Sequence, residues 1–204
     1  MSEGRWIVVE GIDGVGKSTL VKYLHRILLE REKPVLVTRE PGGSPLGEFL
    51  RIWLLGRQEV SIPTELLLLF AARVDHLEQV IYPALKMGKW VLCDRFIDST
   101  YAYQGGGRGF PSERISWLEK NFLGSRKPDR TLLLDLPVEV ALSRAKKRGA
   151  TDRFEQEDLA FYDRVRSAYL ARASLSPECY QIVDASRLWE DAWVSSFLSF
   201  EAES

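Results

Sequence analysis

Residues 11–18 read Gly-Ile-Asp-Gly-Val-Gly-Lys-Ser, with Gly11 and Gly16 separated by four residues and followed by Lys17 and Ser18. Each type has a use at this spacing. The glycines allow backbone turns that aim successive N–H groups inward, and a helix starting at Lys17 would present its positive end to the same point. Lys17 then reaches outer phosphates and the Ser18 hydroxyl can ligate Mg²⁺. Gly11, Ile12, Asp13, Gly14, Val15, Gly16, Lys17, Ser18 and the following Thr19 are therefore expected to cradle the phosphates of a nucleoside triphosphate such as ATP. A glycine-rich turn without a ligand would not require the lysine and serine.

Two further groups of charge could act on such a ligand. Asp94-Arg95-Phe96 follows a β-branched and apolar run, which would place a carboxylate and a guanidinium at the carboxyl edge of a sheet. Arg95 could fork onto an acceptor phosphate, and Asp94 could organise Mg²⁺ and its waters. A surface ion pair or a helix cap would use the same residues. Arg144, Lys146, Lys147, Arg148 and Arg153 crowd a segment broken at Gly149-Ala150-Thr151. Arg144 and Arg148 share a helical face, and Arg153 lies past the glycine, so a lid over about 144–156 could bring a cation to a transferring phosphoryl group. A solvated helix face is the alternative. Guanine-specific switches would carry Asn-Lys-x-Asp, which the sequence lacks.

These residues need a frame that brings them together. Trp6–Glu10, Pro34–Thr38, Lys89–Asp94, Thr131–Leu136 and Tyr180–Val183 read as buried strands. Helical periodicity falls at 17–32, 45–55, 63–87, 111–123, 137–148, 155–174 and 187–198. Strands separated by helices imply right-handed crossovers and a parallel five-stranded sheet covered on both faces, an α/β fold in three layers. With no repeat and no linker, residues 1–204 are expected to form a single domain. Hydrophobic residues at 45% and charged residues at 28% argue against disorder. The formal charge of -1 offers no general grip on nucleic acid or an anionic membrane, so an anion must be held locally. Leu66 to Ala72, the longest strictly apolar run, is far short of a membrane span. Cys93 and Cys179 sit in apolar runs and the start lacks a basic-then-apolar order, so a reducing cytoplasm is expected. His25 and His76 offer no zinc spacing and read as one surface and one partly buried histidine.

The run from Val91 to Gly109, Val-Leu-Cys-Asp-Arg-Phe-Ile-Asp-Ser-Thr-Tyr-Ala-Tyr-Gln-Gly-Gly-Gly-Arg-Gly, resembles a signature of the bacterial thymidylate kinase family. Thr38-Arg39-Glu40-Pro41-Gly42-Gly43, Phe70-Ala71-Ala72-Arg73, Pro128-Asp129, Asp152-Arg153 and Val183-Asp184-Ala185 extend the resemblance along almost the whole chain. It implies a P-loop NTPase fold in a cytosolic homodimer that converts dTMP and Mg·ATP to dTDP and ADP. Another nucleotide or deoxynucleoside kinase is the nearest alternative, and a P-loop switch or partition ATPase a more distant one.

Carried to this sequence, the resemblance gives Asp13 the acceptor's 3′-hydroxyl and Arg95 its 5′-phosphate, with Glu40 and Arg51 completing that end. Arg73, Thr100 and Gln104 would contact thymine, and Tyr103 would crowd the position of a 2′-hydroxyl. Arg108 follows in the same loop. Arg144 and Arg148 would lie on the ATP side. One variant of the family carries its catalytic arginine in the phosphate loop and another in the lid. With Gly14 after Asp13 and no arginine in the loop, this chain resembles the second, with Arg153 as the catalytic arginine. The family's thymine-stacking aromatic stands four residues before the arginine, at Leu69 here, whereas Phe70 is shifted by one. Either can line the pocket, and Phe70 is the expected contact.

Overall fold

The computed structural model describes residues 4–56, 60–147, 157–186, 194, 197 and 198. Five parallel strands, β1 (Trp6–Glu10), β2 (Val35–Arg39), β3 (Trp90–Asp94), β4 (Arg130–Asp135) and β5 (Tyr180–Asp184), lie in the order β2-β3-β1-β4-β5. The central strand β1 is buried at every position, as its unbroken apolar run requires when helices cover both faces. Ile7 and Val9 point into one core with Leu20 and Leu24 of α1 (Lys17–Glu30) and Phe161, Val165 and Tyr169 of α8 (Leu159–Ser174). Trp6 and Val8 point into the other with Leu66 and Phe70 of α3 (Ile62–His76) and Ile115 of α6 (Ser112–Phe122). The period of two along one strand thus divides the molecule into three layers.

Local chemistry fixes several helix starts. Ser44 accepts from Gly47 N and Pro45 opens α2 (Pro45–Leu55), whose ends match the periodicity of the sequence. Asp158 accepts from Phe161 N at 2.7 Å to cap α8. The stretch expected as one helix over 63–87 is interrupted. After α3 it widens into a π-helical turn at Leu77–Ile81 and resumes as α4 (Tyr82–Lys86). Pro83 supplies no N–H and its ring would crowd the carbonyl four residues back, so the wider turn just ahead of it accommodates the proline.

A second difference lies after β3. Residues 97–107, which lie outside the stretches of helical periodicity, form α5 (Ile97–Thr100) and a π-helical turn, Tyr101–Gly107. Tertiary contact decides this segment. A Cβ on Gly106 would stand 2.6 Å from Ala168 Cβ and one on Gly107 2.5 Å from the Phe161 ring, so the glycines let α8 press against the turn. After β4 the chain forms α7 (Val138–Lys147). Of the helix expected at 187–198, only Val194, Phe197 and Leu198 are among the described residues, all buried in the α1/α8 core.

Candidate active site

The carboxyl ends of β1 and β3 lie side by side, with Val9 opposite Asp94, and this register brings the two expected anion sites together. A cleft of about 340 Å³ opens above them and is lined in part by Lys17, Ser18, Asp94, Arg95, Arg73 and Gln104. On the β1 side, Gly16 has φ 103 and starts α1 without a side-chain cap, leaving the first-turn N–H groups to the loop. Lys17 Nζ donates to Ile12 O at 2.9 Å and lies 3.9 Å from Asp13 Oδ1. Burial, reinforced by the neighbouring Arg95 charge, lowers Lys17 to about 8. Ser18 Oγ donates to Asp94 Oδ2 at 2.9 Å, joining the two residues expected at Mg²⁺.

Arg95 sits at the floor of the cleft with φ 72, a left-handed conformation that costs a non-glycine residue on the order of 1–2 kcal/mol. Its contacts hold it there. Nη2 donates to Asp13 Oδ1 at 2.5 Å and to Tyr103 OH at 3.2 Å. Nη1 donates to Gly11 O, Ser99 Oγ and Tyr169 OH at 3.0–3.2 Å. Tyr103 OH in turn donates to Asp13 Oδ2 at 2.7 Å, and the Arg95 guanidinium lies 5.1 Å from the Tyr103 ring centre. Burial pushes the Asp13 carboxyl up, but Arg95, Lys17 and the Tyr103 hydroxyl outweigh it and hold Asp13 down at about 2. Asp13 is therefore a carboxylate at any working pH.

Below Arg95 lies Glu10, a fully buried carboxyl whose role the sequence reading missed. Its Oε1 accepts from Phe96 N at 2.7 Å and Ser99 N at 3.3 Å, fixing the start of α5, while Oε2 accepts from Ser99 Oγ and Tyr169 OH. A carboxylate ending a wholly buried strand was the available signal. Burial and then the nearby Asp98 charge raise Glu10 from 4.5 to about 7. Between those values the folded protein keeps a proton that the unfolded chain has released, so stability falls as pH rises through the window. Glu10→Gln should remove this dependence: from about pH 5 to pH 8 the wild type should lose on the order of 1–3 kcal/mol relative to the variant in urea unfolding. Parallel profiles would show that Glu10 titrates normally.

At the far end of the cleft, Glu40 is buried and divides its oxygens between two partners. Oε2 accepts from Arg73 Nε at 2.6 Å, and Oε1 lies 3.1 Å from His76 Nδ1. Of the two histidines expected as one surface and one partly buried, His25 is partly buried and His76 wholly buried, with Nε2 2.6 Å from Thr38 Oγ1. Arg73 Nη2 donates to Phe96 O at 3.3 Å, whereas its buried Nη1 has no partner among the described residues. Gln104 is 2% exposed and donates through Nε2 to Glu65 Oε1 at 2.6 Å. Arg51 donates to Pro41 O at 2.7 Å, and Thr100 is buried at the cleft wall.

The thymidylate kinase family model matches residues 9–194. Thymidylate kinase of Pseudomonas savastanoi pv. phaseolicola is 54% identical over 94% of this chain and 92% of its own length. That of Pseudomonas entomophila is 55% identical over 90% and 89%. The chain belongs to the thymidylate kinase family. The solved thymidylate kinase from Ehrlichia chaffeensis superposes with a TM-score of 0.71 at 34% identity, covering 89% of this chain and 93% of that one.

The family's site residues are not all where the resemblance put them. Phe70 does not line the cleft: it packs in the α3 core, with its ring centre 5.4 Å from the Arg73 guanidinium, and Phe96 lies at the same distance. Leu69 lines the cleft instead. Helix phase explains the exchange, because Glu65, Leu69 and Arg73 follow at spacings of four along one face and Phe70 is turned about 100° away from Leu69. Arg144 is also placed away from the cleft walls, with Nη1 donating to Ala185 O at 3.1 Å beyond β5. Arg148 and Arg153, and most of the expected lid, lie outside the described residues. Lys17, Ser18, Asp13, Asp94, Arg95, Glu40, Arg51, Arg73, Thr100, Tyr103 and Gln104 are all at the one cleft.

Proposed function

We infer that the chain transfers the γ-phosphoryl group of ATP to dTMP, giving dTDP and ADP. The observation that carries this reading is a single cleft running from Lys17 and Ser18 to a buried polar end at Arg73 and Gln104, with Arg95 between them. The transfer is in line, without a covalent enzyme intermediate, so positioning and charge do the chemistry. The loop backbone and Lys17 hold the donor phosphates. Arg95 holds the acceptor's 5′-phosphate, while Asp13 takes its 3′-hydroxyl. Arg73 Nη1 is a buried donor suited to a base carbonyl, and such a donor is costly to leave unmatched. Glu40 and Arg51 complete the acceptor end, and Thr100 adds a polar wall.

Ser18 and Asp94 are hard oxygen donors of the kind Mg²⁺ takes. Among the described residues no group of three or more His, Cys, Asp or Glu side chains could cage a metal, which fits an ion shared with substrate phosphates. When bound there, Mg²⁺ supplies neutralisation of charge on the phosphate oxygens.

Residues 1–204 act as one domain in this reading, with the lid over about 144–156 carrying Arg148 and the catalytic Arg153. Two copies of the chain pair through an exposed apolar face: Phe49 and Ile52 of α2 are 66% and 77% exposed and Leu67 of α3 is 58% exposed. Sedimentation of the purified chain as a dimer checks this. The free thiols Cys93 and Cys179 suit a reducing cytoplasm, and no described helix is long and apolar enough to cross a membrane.

Coupled ADP release with dTMP, dUMP, CMP and thymidine as acceptors tests the reaction. dTMP is expected to be the preferred acceptor; release stimulated by a macromolecule and by none of these acceptors would favour a switch or partition ATPase. Tyr103 also makes a prediction. Its ring is fixed by Phe161, Tyr162 and Tyr169 around it and its hydroxyl by Asp13, so it forms a rigid wall beside the sugar position. Tyr103→Ala should raise the kcat/KM of ribothymidine monophosphate relative to dTMP by about tenfold or more, even as absolute activity falls. An unchanged ratio would place sugar discrimination elsewhere.

A further inference from the structure

We propose that Glu65 is a positioning residue for base recognition: by holding the Gln104 amide in one orientation, it makes the cleft select a 4-keto pyrimidine over a 4-amino one. The proposal rests on dTMP being the acceptor and assigns a cause to its selectivity. Glu65 occupies the first turn of α3, is 1% exposed and shares the cleft face with Arg73. Arg108 Nη1 donates to its Oε2 at 3.0 Å in an ion pair, and a carboxylate so paired only accepts hydrogen bonds. The amide 2.6 Å away must therefore present its NH₂, not its oxygen.

That constraint determines what remains for a ligand. Gln104 Oε1 accepts from no described residue although the side chain is almost wholly buried at the cleft wall. Arg73 Nη1 donates to none. The base end thus fixes the Gln104 carbonyl as an acceptor, with the Arg73 guanidinium, a donor, in the same lining. A pyrimidine with a 4-keto group and an N3–H presents the complementary pair, a carbonyl acceptor and a ring donor. A 4-amino pyrimidine presents an amino donor and a ring-nitrogen acceptor, the wrong sense at both positions. A Gln104 amide free to turn over could satisfy that ring nitrogen with its NH₂. Glu65 forbids the turn, because its own oxygen would then face the amide oxygen.

The experiment measures kcat/KM for dTMP and dCMP, with Mg·ATP saturating, in the wild type and in Glu65→Gln, whose side chain is isosteric but can donate as well as accept. The ratio of dTMP to dCMP is expected to fall roughly tenfold or more, through a higher KM for dTMP and improved use of dCMP, with the KM for ATP unchanged. A lower melting temperature with the ratio preserved would make Glu65 merely structural and overturn the proposal. Should Glu65→Gln not fold, Gln104→Met, of similar volume and leaving the Glu65–Arg108 pair in place, is expected to lower the ratio as far; an unchanged ratio there overturns the proposal as well. Where both variants fold, Glu65→Gln in the Gln104→Met background should change the ratio no further. A wild type that does not favour dTMP over dCMP would instead refute the reading of the acceptor itself.

Discussion

Lys17→Ala should reduce phosphoryl transfer by roughly three orders of magnitude or more while leaving the fold intact. The reason is where the ammonium stands. Lys17 Nζ is tied to the loop's own carbonyl at Ile12 and lies within 3.9 Å of Asp13, so it stiffens the cradle before any phosphate arrives. Burial and Arg95 make its charge expensive, lowering it to about 8, and an incoming polyphosphate relieves that cost. Its loss therefore removes stabilisation that grows as charge moves between phosphates, and exposes no large apolar surface in its place. Circular dichroism and melting temperature should match the wild type. Turnover within tenfold of the wild type, with the fold unchanged, would show that the loop binds phosphate without acting on it.

Arg153→Ala should lower kcat about 10³–10⁵-fold and weaken dTMP binding far less. Gly14 has φ 86 and the Ala141 carbonyl occupies the place its Cβ would take, so no side chain fits at that position. Asp13 and Val15 flank it, and Arg95 is committed to Asp13 and the acceptor end. We propose that a second cation, besides Lys17, reaches the transferring group from the segment 144–156, where Arg153 follows Gly149 in the sequence. Arg153→Lys should recover only part of the rate, because a point charge does not reproduce the planar fork. Single-turnover transfer with both substrates saturating isolates the effect. A rate within a few-fold of the wild type would pass the role to Arg148, and the same result for Arg148→Ala would remove the lid mechanism.

The parts of this account that were legible in the sequence are those fixed by local pattern. Trp-Ile-Val-Val-Glu reads as a buried strand by its short β-branched run, and Ser44-Pro45 marks a helix start by its own chemistry. The glycine-lysine-serine spacing fixed the loop after β1, and the Asp94-Arg95 pair fell beside it because parallel strands in register align their carboxyl ends. The parts that were not legible depend on contacts distant in sequence. Residues 97–107 contain three consecutive glycines and look like a loop until α8 packs against them. The π-helical turn before Pro83 leaves no periodic signal. Phe70 and Leu69 differ by one position, which chemical type cannot resolve; the four-residue spacing of Glu65, Leu69 and Arg73 resolves it once the cleft face is known. Glu10 and Glu65 drew no notice as lone acids in apolar runs, although a carboxylate in such a run must either find donors or lose its charge.

In the proposed reaction the cleft carries a phosphoryl group from a triphosphate on the Lys17 loop to a thymidine 5′-monophosphate on Arg95. ATP labelled in its γ-phosphate, incubated with the chain, Mg²⁺ and an equimolar mixture of dTMP, dCMP and thymidine, follows that group directly. The label is expected in the β-phosphate of dTDP, with little in dCDP and none in dTMP newly made from thymidine. Label released as inorganic phosphate whatever the acceptor, or carried mainly to dCMP or thymidine, would contradict it.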